Sequence, residues 1–271
     1  MRLGVPKEKD ENETRVSIVP ISIPKLNKLG FDVIIEKGAG EKSGYSDSEY
    51  EDKGGKIGDL VEVMGSELIA SINVPDLKMM KKGQMLACIA DPFRNLEQTR
   101  KIIDAGITLL SLDVIPRRLS KGQSMDVNSS QDNLSGYRAA LMGSLHVSKM
   151  VPMMMTAAGT VRPAKFVIQG AAVAGLQAIA TAKRLGAAIQ AIDVRLAAKQ
   201  DTESLGAKFI DVPGWKDAES SSGHATLFTD KGLQQAFDEE LMKAVKEADV
   251  VITTARLFGA DAPQLFFGKK M

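Results

Sequence analysis

Two groups of residues have the types and spacing to do chemistry. The first is Gly170-Ala171-Ala172-Val173-Ala174-Gly175, which follows the apolar run Lys165 to Gln169 and opens the alanine-rich stretch Leu176 to Leu185. A small-residue turn between a strand and a helix aims backbone N–H groups and the positive end of the helix at a pyrophosphate. Asp193 closes the next apolar run, Ala188 to Asp193, at roughly the ~20-residue interval expected of an acidic partner for the ribose. Its carboxylate can accept from both hydroxyls of an adenine ribose and would repel a 2′-phosphate, so NAD(H) is favoured over NADP(H). Val194 and Arg195 follow it, and the arginine weakens that preference because it could pair with such a phosphate. Ala172 departs from the fingerprint, since the second of its three glycines normally lets the backbone approach the pyrophosphate closely.

The second group lies in the polar, turn-rich segment Arg117 to Gln131, which is longer than an ordinary connector. Arg118, Gln123 and Asp126 are three kinds of polar group within one loop. Asp126 can fix the orientation of Arg118, and Gln123 offers both donors and acceptors to a carboxamide or a ribose. Taken alone, the segment reads better as a solvated, salt-bridged surface loop.

Both groups need a scaffold, and the pattern of the chain supplies one. Arg2 to Val5, Phe31 to Glu36, Leu68 to Ile72, Met85 to Ile89 and Thr108 to Leu112 are short apolar runs that read as strands. Between them, Ile21 to Leu29 ends at Gly30, Ser46 to Lys53 starts with a Ser/Asp cap, and Asn95 to Ala105 follows, all with helical character. Strands separated by helices indicate a parallel sheet covered on both faces. Asn133 to Met150 carries a long helical pattern. Beyond it, Lys165 to Gln169, Ala188 to Asp193, Lys208 to Ile210 and Val250 to Thr254 read as four more strands, and Gln234 to Glu247 as an amphipathic helix. The predicted fold is α/β: two Rossmann-like parallel-sheet domains joined by a long helix, the second short of the six strands of a full Rossmann sheet. The boundaries are 1–132, a linking helix and connector at 133–160, and 161–271.

Composition narrows the function. The chain has 271 residues, 25% of them charged, and a formal net charge of +1, which gives no electrostatic reason to expect nucleic acid. One cysteine and two histidines are too few for a Cys/His metal site, and no metal is expected. Cys88 sits in an apolar run and reads as a small buried side chain. The apolar stretches are broken well before the ~20 residues of a membrane span. The Met-rich run at Met150 and Met153 to Met155 suits flexible core or interface packing.

Four segments also carry a family resemblance. Gly4-Val5-Pro6-Lys7-Glu8 with Asn12-Glu13-Thr14-Arg15-Val16 resembles the opening shared by alanine dehydrogenases and transhydrogenase alpha subunits. Arg118 to Ser130, followed by Gly136-Tyr137-Arg138-Ala139, resembles the transhydrogenase loop that holds nicotinamide. Pro152 to Thr160 and Ala174 to Ala187 resemble further transhydrogenase segments. The resemblance implies the NAD(H)-binding component of a proton-translocating NAD(P) transhydrogenase. In that reading Arg118, Gln123 and Asp126 position the nicotinamide, Ser129 contacts it, and hydride passes directly to NADP(H) on a partner domain. It also implies membrane partners that carry the proton, a homodimer, and a location on the cytoplasmic or matrix side, peripheral to the complex. The sequence departs from the family in two places. His224, after Gly223, stands where the family usually has a tyrosine on a loop that closes over the nucleotide, and the chain stops at Met271 where the family continues. These departures support a second reading, a catalytically idle NAD-binding or assembly module. An alanine dehydrogenase-like oxidoreductase fits less well, because that family's catalytic lysine aligns with Ser71 and its catalytic histidine with Ile89, neither of which serves as an acid or base.

Overall fold

A computed structural model of the chain describes residues 1–115, 120–215, 230–256 and 262, with the backbone alone at 120 and 121. It divides into two compact units, Met1–Asp126 and Val127–Met271.

The first unit runs β1 (Arg2–Val5), α1 (Ile23–Lys28), β2 (Asp32–Glu36), α2 (Asp47–Asp52), β3 (Lys56–Gly58), α3 (Leu60–Met64), β4 (Leu68–Ala70), β5 (Met85–Cys88), α4 (Leu96–Asp104), β6 (Thr108–Ser111) and α5 (Ser120–Gln123). The six strands form one sheet in the order β3-β2-β1-β4-β5-β6, every pair parallel. That is the doubly wound order, with its switch point between β1 and β4. Successive side chains of a strand take opposite faces, so each face has its own core. Leu3, Val5, Val33, Ile35 and Ala70 pack with Ile23 of α1 and Tyr50 of α2. Ile69, Leu86 and Cys88 pack with Met64 of α3 and Ile102 of α4. Helix α3 lies very close to β1, and a Cβ at Gly4 would fall 2.3 Å from the Val63 carbonyl oxygen. Sequence patterning finds neither β3 nor α3. Three and five residues are too few for a hydrophobic period to show, although Asp59 and Glu62 close a reciprocal capping box at the start of α3.

The second unit runs α6 (Val127–His146), β7 (Met154–Thr156), β8 (Gly159–Val161), β9 (Lys165–Gln169), α7 (Val173–Arg184), β10 (Ala188–Ile192), α8 (Ala197–Ser204), β11 (Lys208–Phe209), α9 (Lys231–Lys246) and β12 (Val250–Thr253). Its main sheet is parallel, in the order β11-β10-β9-β12. In chain order this is 3-2-1-4, again with a switch point, here between β9 and β12. Phe166 and Ile168 of β9 face Ala140 of α6 and Ala178, Ile179 and Ala182 of α7. Val167 faces the other way, towards Leu233, Phe237 and Leu241 of α9. The buried positions of α7 recur at three- and four-residue spacing, the stripe of a helix with one core-facing side. The helix stops at Gly186, whose φ of +92° is open to glycine at little cost.

Helix α6 begins at Val127 rather than at Asn133. Its early residues are polar, so the apolar pattern misses them. Its packing partner is α7. The contact depends on Gly136, because a Cβ there would lie 2.0 Å from the Ala174 carbonyl oxygen. Met154 and Met155 of the methionine run lie on β7 of the β7–β8 hairpin, a two-stranded antiparallel ribbon, and Met153 immediately precedes it. Met153 and Met155 are 58% and 75% exposed, which rules out the core as their place. Among the described residues no helix is long and apolar enough to cross a membrane.

Two measurements test this packing. Gly136→Ala forces α6 away from α7 or distorts the start of α7, and overpacking of this kind costs about 1–3 kcal/mol; chemical denaturation should show a loss in that range, and an unchanged midpoint would refute the close contact. Cys88 is free and fully buried, and burial, with help from the carboxylates of Asp113 and Glu8, pushes its thiol up to about 12. A thiol reagent at pH 8 should therefore leave the folded chain unlabelled and label it stoichiometrically in denaturant.

Candidate nucleotide-binding site

The turn at the end of β9 is built from missing side chains. Gly170 has φ +96° and donates its N–H to the Ile192 carbonyl at 2.8 Å. A Cβ on it would meet Thr254 Oγ1 at 2.7 Å. Five residues on, a Cβ on Gly175 would stand 1.8 Å from the Gly170 carbonyl oxygen, so α7 can leave the sheet this tightly only with glycine there. Ala172 is a different case. Its φ of −87° and ψ of −161° are ordinary for any residue, and its side chain is exposed. The backbone therefore does not require glycine at this position, and the methyl group affects only how closely a ligand can approach.

Ala172 is the N-cap of α7, and among the described residues no side chain caps the helix. The starts of α2, α3 and α9 are each capped by a side chain, from Ser46, Asp59 and Asp230, whereas among the described residues α1, α4 and α8, like α7, have no side-chain cap. An uncapped first turn at Val173 and Ala174 leaves N–H groups facing outward at the positive end of the helix dipole. Lys183 and Arg184 occupy the last turn and complement the opposite end. The arrangement can hold an anion such as a pyrophosphate.

Asp193, just past β10, is 4% exposed and tied into the turn. Its Oδ2 accepts from the Ala171 N–H at 2.6 Å and from the Arg195 guanidinium at 2.9 Å. Its Oδ1 accepts from the Arg195 backbone N–H and from Arg195 Nε, both at 2.9 Å. These four bonds use about the full accepting capacity of a carboxylate. Asp193 thus links the turn to β10, and the Arg195 fork covers the edge that a ribose would approach. Val194 between them accepts a hydrogen bond from Trp215 Nε1 at 3.2 Å, and the Trp215 ring stacks on Phe209 at 5.3 Å.

Several contributors escape sequence reasoning. Thr254, beyond β12, donates its hydroxyl to the Gly170 carbonyl at 2.9 Å, so the two strands at the switch point hold the turn together. Gly136 admits α6 against the first turn of α7. Arg256 pairs with Asp132 of α6 at 3.3 Å. All three lie far from the turn in sequence, and the only signal is Gly136, which the family resemblance includes without explaining.

The second group of candidates is spread over two elements. Gln123 ends α5 and is exposed, Asp126 is the last residue of the first unit and half-buried, and Ser129 lies in the first turn of α6, also half-buried. Arg118, and with it the expected Arg118–Asp126 pair, lies outside the described residues, as do Gly223 and His224. In the first unit, Ser71 is 4% exposed and gives its hydroxyl to the Asn73 carbonyl at 2.6 Å. Glu8 clamps the same loop by accepting from the Ile72 and Asn73 N–H groups at 2.6 and 3.3 Å. Ser71 is thus a loop-shaping residue here.

Comparison with known proteins identifies the family. The profile described as "Alanine dehydrogenase/PNT, N-terminal domain" matches residues 4–135, and the companion C-terminal-domain profile matches residues 139–271. The first part of the NAD(P) transhydrogenase alpha subunit of Rhodospirillum rubrum is 39% identical over 98% of this chain and 72% of its own length. Alanine dehydrogenase of Mycobacterium tuberculosis is 27% identical over 98% of this chain and 67% of its own length. The crystal structure of transhydrogenase from Sinorhizobium meliloti superposes with a TM-score of 0.84 at 39% identity, covering 98% of this chain and 73% of that one. With both domain profiles matched and the greater likeness lying on the transhydrogenase side, this chain belongs to the alanine dehydrogenase/PNT family, among its transhydrogenase alpha subunits.

Proposed function

We propose that the chain is the NAD(H)-binding component of a proton-translocating NAD(P) transhydrogenase. The observation that carries this reading is the uncapped start of α7 behind the Gly170–Gly175 turn, braced by Asp193. The dinucleotide's pyrophosphate sits on the N–H groups of that first turn. Its adenine ribose reaches Asp193 by displacing the Arg195 side chain from Oδ1. Val194 and Arg195 complete the adenosine end, with Gly223 and His224 closing over the nucleotide. Arg118, Gln123 and Asp126 position the nicotinamide, and Ser129 contacts it. When bound, NADH supplies a hydride that passes to NADP on a partner domain. The chain's residues contribute approach and orientation rather than proton transfer.

The partners follow from the same reading: an NADP-binding domain and membrane domains that move the proton, with this chain docked peripherally on the cytoplasmic or matrix side. A second copy is the further partner. Met153, Met155 and Val161, in and beside the β7–β8 hairpin, are all more than 40% exposed, an apolar surface suited to a dimer contact.

The cofactor preference has a physical basis in one ion pair. The Asp193 carboxylate repels a 2′-phosphate, and Arg195 stays tied to Oδ2 by its Nη2 group when the ribose takes Oδ1, which limits its pull on such a phosphate. Calorimetric titration should show saturable NADH binding and at least about tenfold weaker NADPH binding, a gap of roughly 1.4 kcal/mol. Asp193→Asn should weaken NADH by about tenfold to a hundredfold, the range expected for hydrogen bonds to a charged group, and should narrow the gap to NADPH. A folded chain that binds neither nucleotide would refute the reading. For the nicotinamide end, Asp126→Asn should slow hydride transfer in the reconstituted complex at least tenfold while leaving NADH affinity nearly unchanged; an unaltered rate would remove Asp126 from its proposed role.

A further inference from the structure

Gln169 is the last residue of β9 and immediately precedes the Gly170–Gly175 turn. The three residues before it are apolar and buried, and a fourth apolar residue would complete the strand. Instead the strand ends in a primary amide that is 6% exposed. Its Oε1 is fully buried and has no hydrogen-bond partner among the described residues. The backbone here is fully engaged: the Gln169 carbonyl accepts from the Thr254 N–H at 2.9 Å. The orphan is therefore the side chain alone.

Its place in the sheet is well defined. Gln169 is in register with Ile192 on β10 and Thr253 on β12, so it lies at the switch point, at the carboxyl ends of the strands, where ligands of open parallel sheets bind. By strand alternation it shares a face with Val167, whose neighbours are Ile192 and Leu233. It is the residue on that face nearest the turn. A buried carbonyl without a donor destabilises the folded state, and an apolar residue would fill the same space without that penalty. The position makes physical sense if the missing donor arrives with the ligand.

We propose that Gln169 is a nucleotide-binding residue whose Oε1 accepts a hydrogen bond from an O–H donor brought to the turn by the bound dinucleotide. The donor is a ribose hydroxyl of the nicotinamide half or a water trapped against the pyrophosphate. A phosphate oxygen is excluded because it is itself only an acceptor. The inference rests on the reading of Gly170–Gly175 as a dinucleotide site and adds to it a side chain outside the glycine fingerprint.

The test uses the full chain with Gln169→Met and Gln169→Leu, both apolar and close to glutamine in size. Thermal melting of the ligand-free protein should give a midpoint equal to or above wild type, since an unpaired buried acceptor has been removed. Calorimetry should give NADH affinity reduced by about tenfold in both variants, the upper range for one hydrogen bond. ADP, which has the pyrophosphate but lacks the nicotinamide ribose, separates the two donors. A loss for NADH alone identifies the ribose hydroxyl, and an equal loss for both identifies the trapped water. If both variants bind NADH and ADP within twofold of wild type, the proposal is overturned while the site stands. If the wild-type chain binds no NADH, the site itself fails, and this inference with it.

Discussion

The closeness of Gly175 to the Gly170 carbonyl governs the second unit. A separation of 1.8 Å from where a Cβ would be leaves space for hydrogen alone. Because α7 starts this near the end of β9, its first-turn N–H groups emerge at the carboxyl edge of the sheet. The same closeness brings Ala171 within reach of Asp193, which accepts its N–H and fixes β10 to the turn. Thr254 binds the Gly170 carbonyl from the β12 side, and Gly136 lets α6 rest on the Ala174 carbonyl. The turn is thus held from both neighbouring strands and from a helix across the sheet face. A turn proposed to hold an anion through backbone N–H groups needs a backbone that does not move, and these contacts hold it in place.

Asp193 has a structural job that sequence reading does not show. As a ribose acceptor it would need a free edge. In the structure its oxygens bind Arg195 and Ala171 instead. Burial explains this. A carboxylate that is 4% exposed requires compensating charge and donors, and the arginine two residues on provides both. The pairing also holds the Arg195 guanidinium against the end of β10.

The elements both long enough and apolar enough to show a period are legible in the sequence. The strands β1, β2, β9 and β10, the helix α7 and the stops at Gly30 and Gly186 all follow from apolar runs and glycine. The failures come from short or polar stretches, helix α8 among the latter. Strand β3 and helix α3 are shorter than one readable period, and the start of α6 is polar because it comes before the portion that packs on α7. The Met run is equally instructive. Composition allows core or surface for it, and only strand pairing into an exposed ribbon settles the matter for Met153 and Met155.

What the sequence by itself determined is the α/β class, the strand–turn–helix with the form of a pyrophosphate site, and the family, because each is written in residues adjacent or regularly spaced along the chain. What only the tertiary structure decided is the order of strands in each sheet, the occupation of Asp193 by Arg195, the brace from Thr254, the need for glycine at 136 and the Gln169 side-chain oxygen without a partner among the described residues. Each of these depends on which atoms meet across many residues of intervening chain. Such meetings are fixed by how whole faces pack, and no local pattern of residue types encodes them.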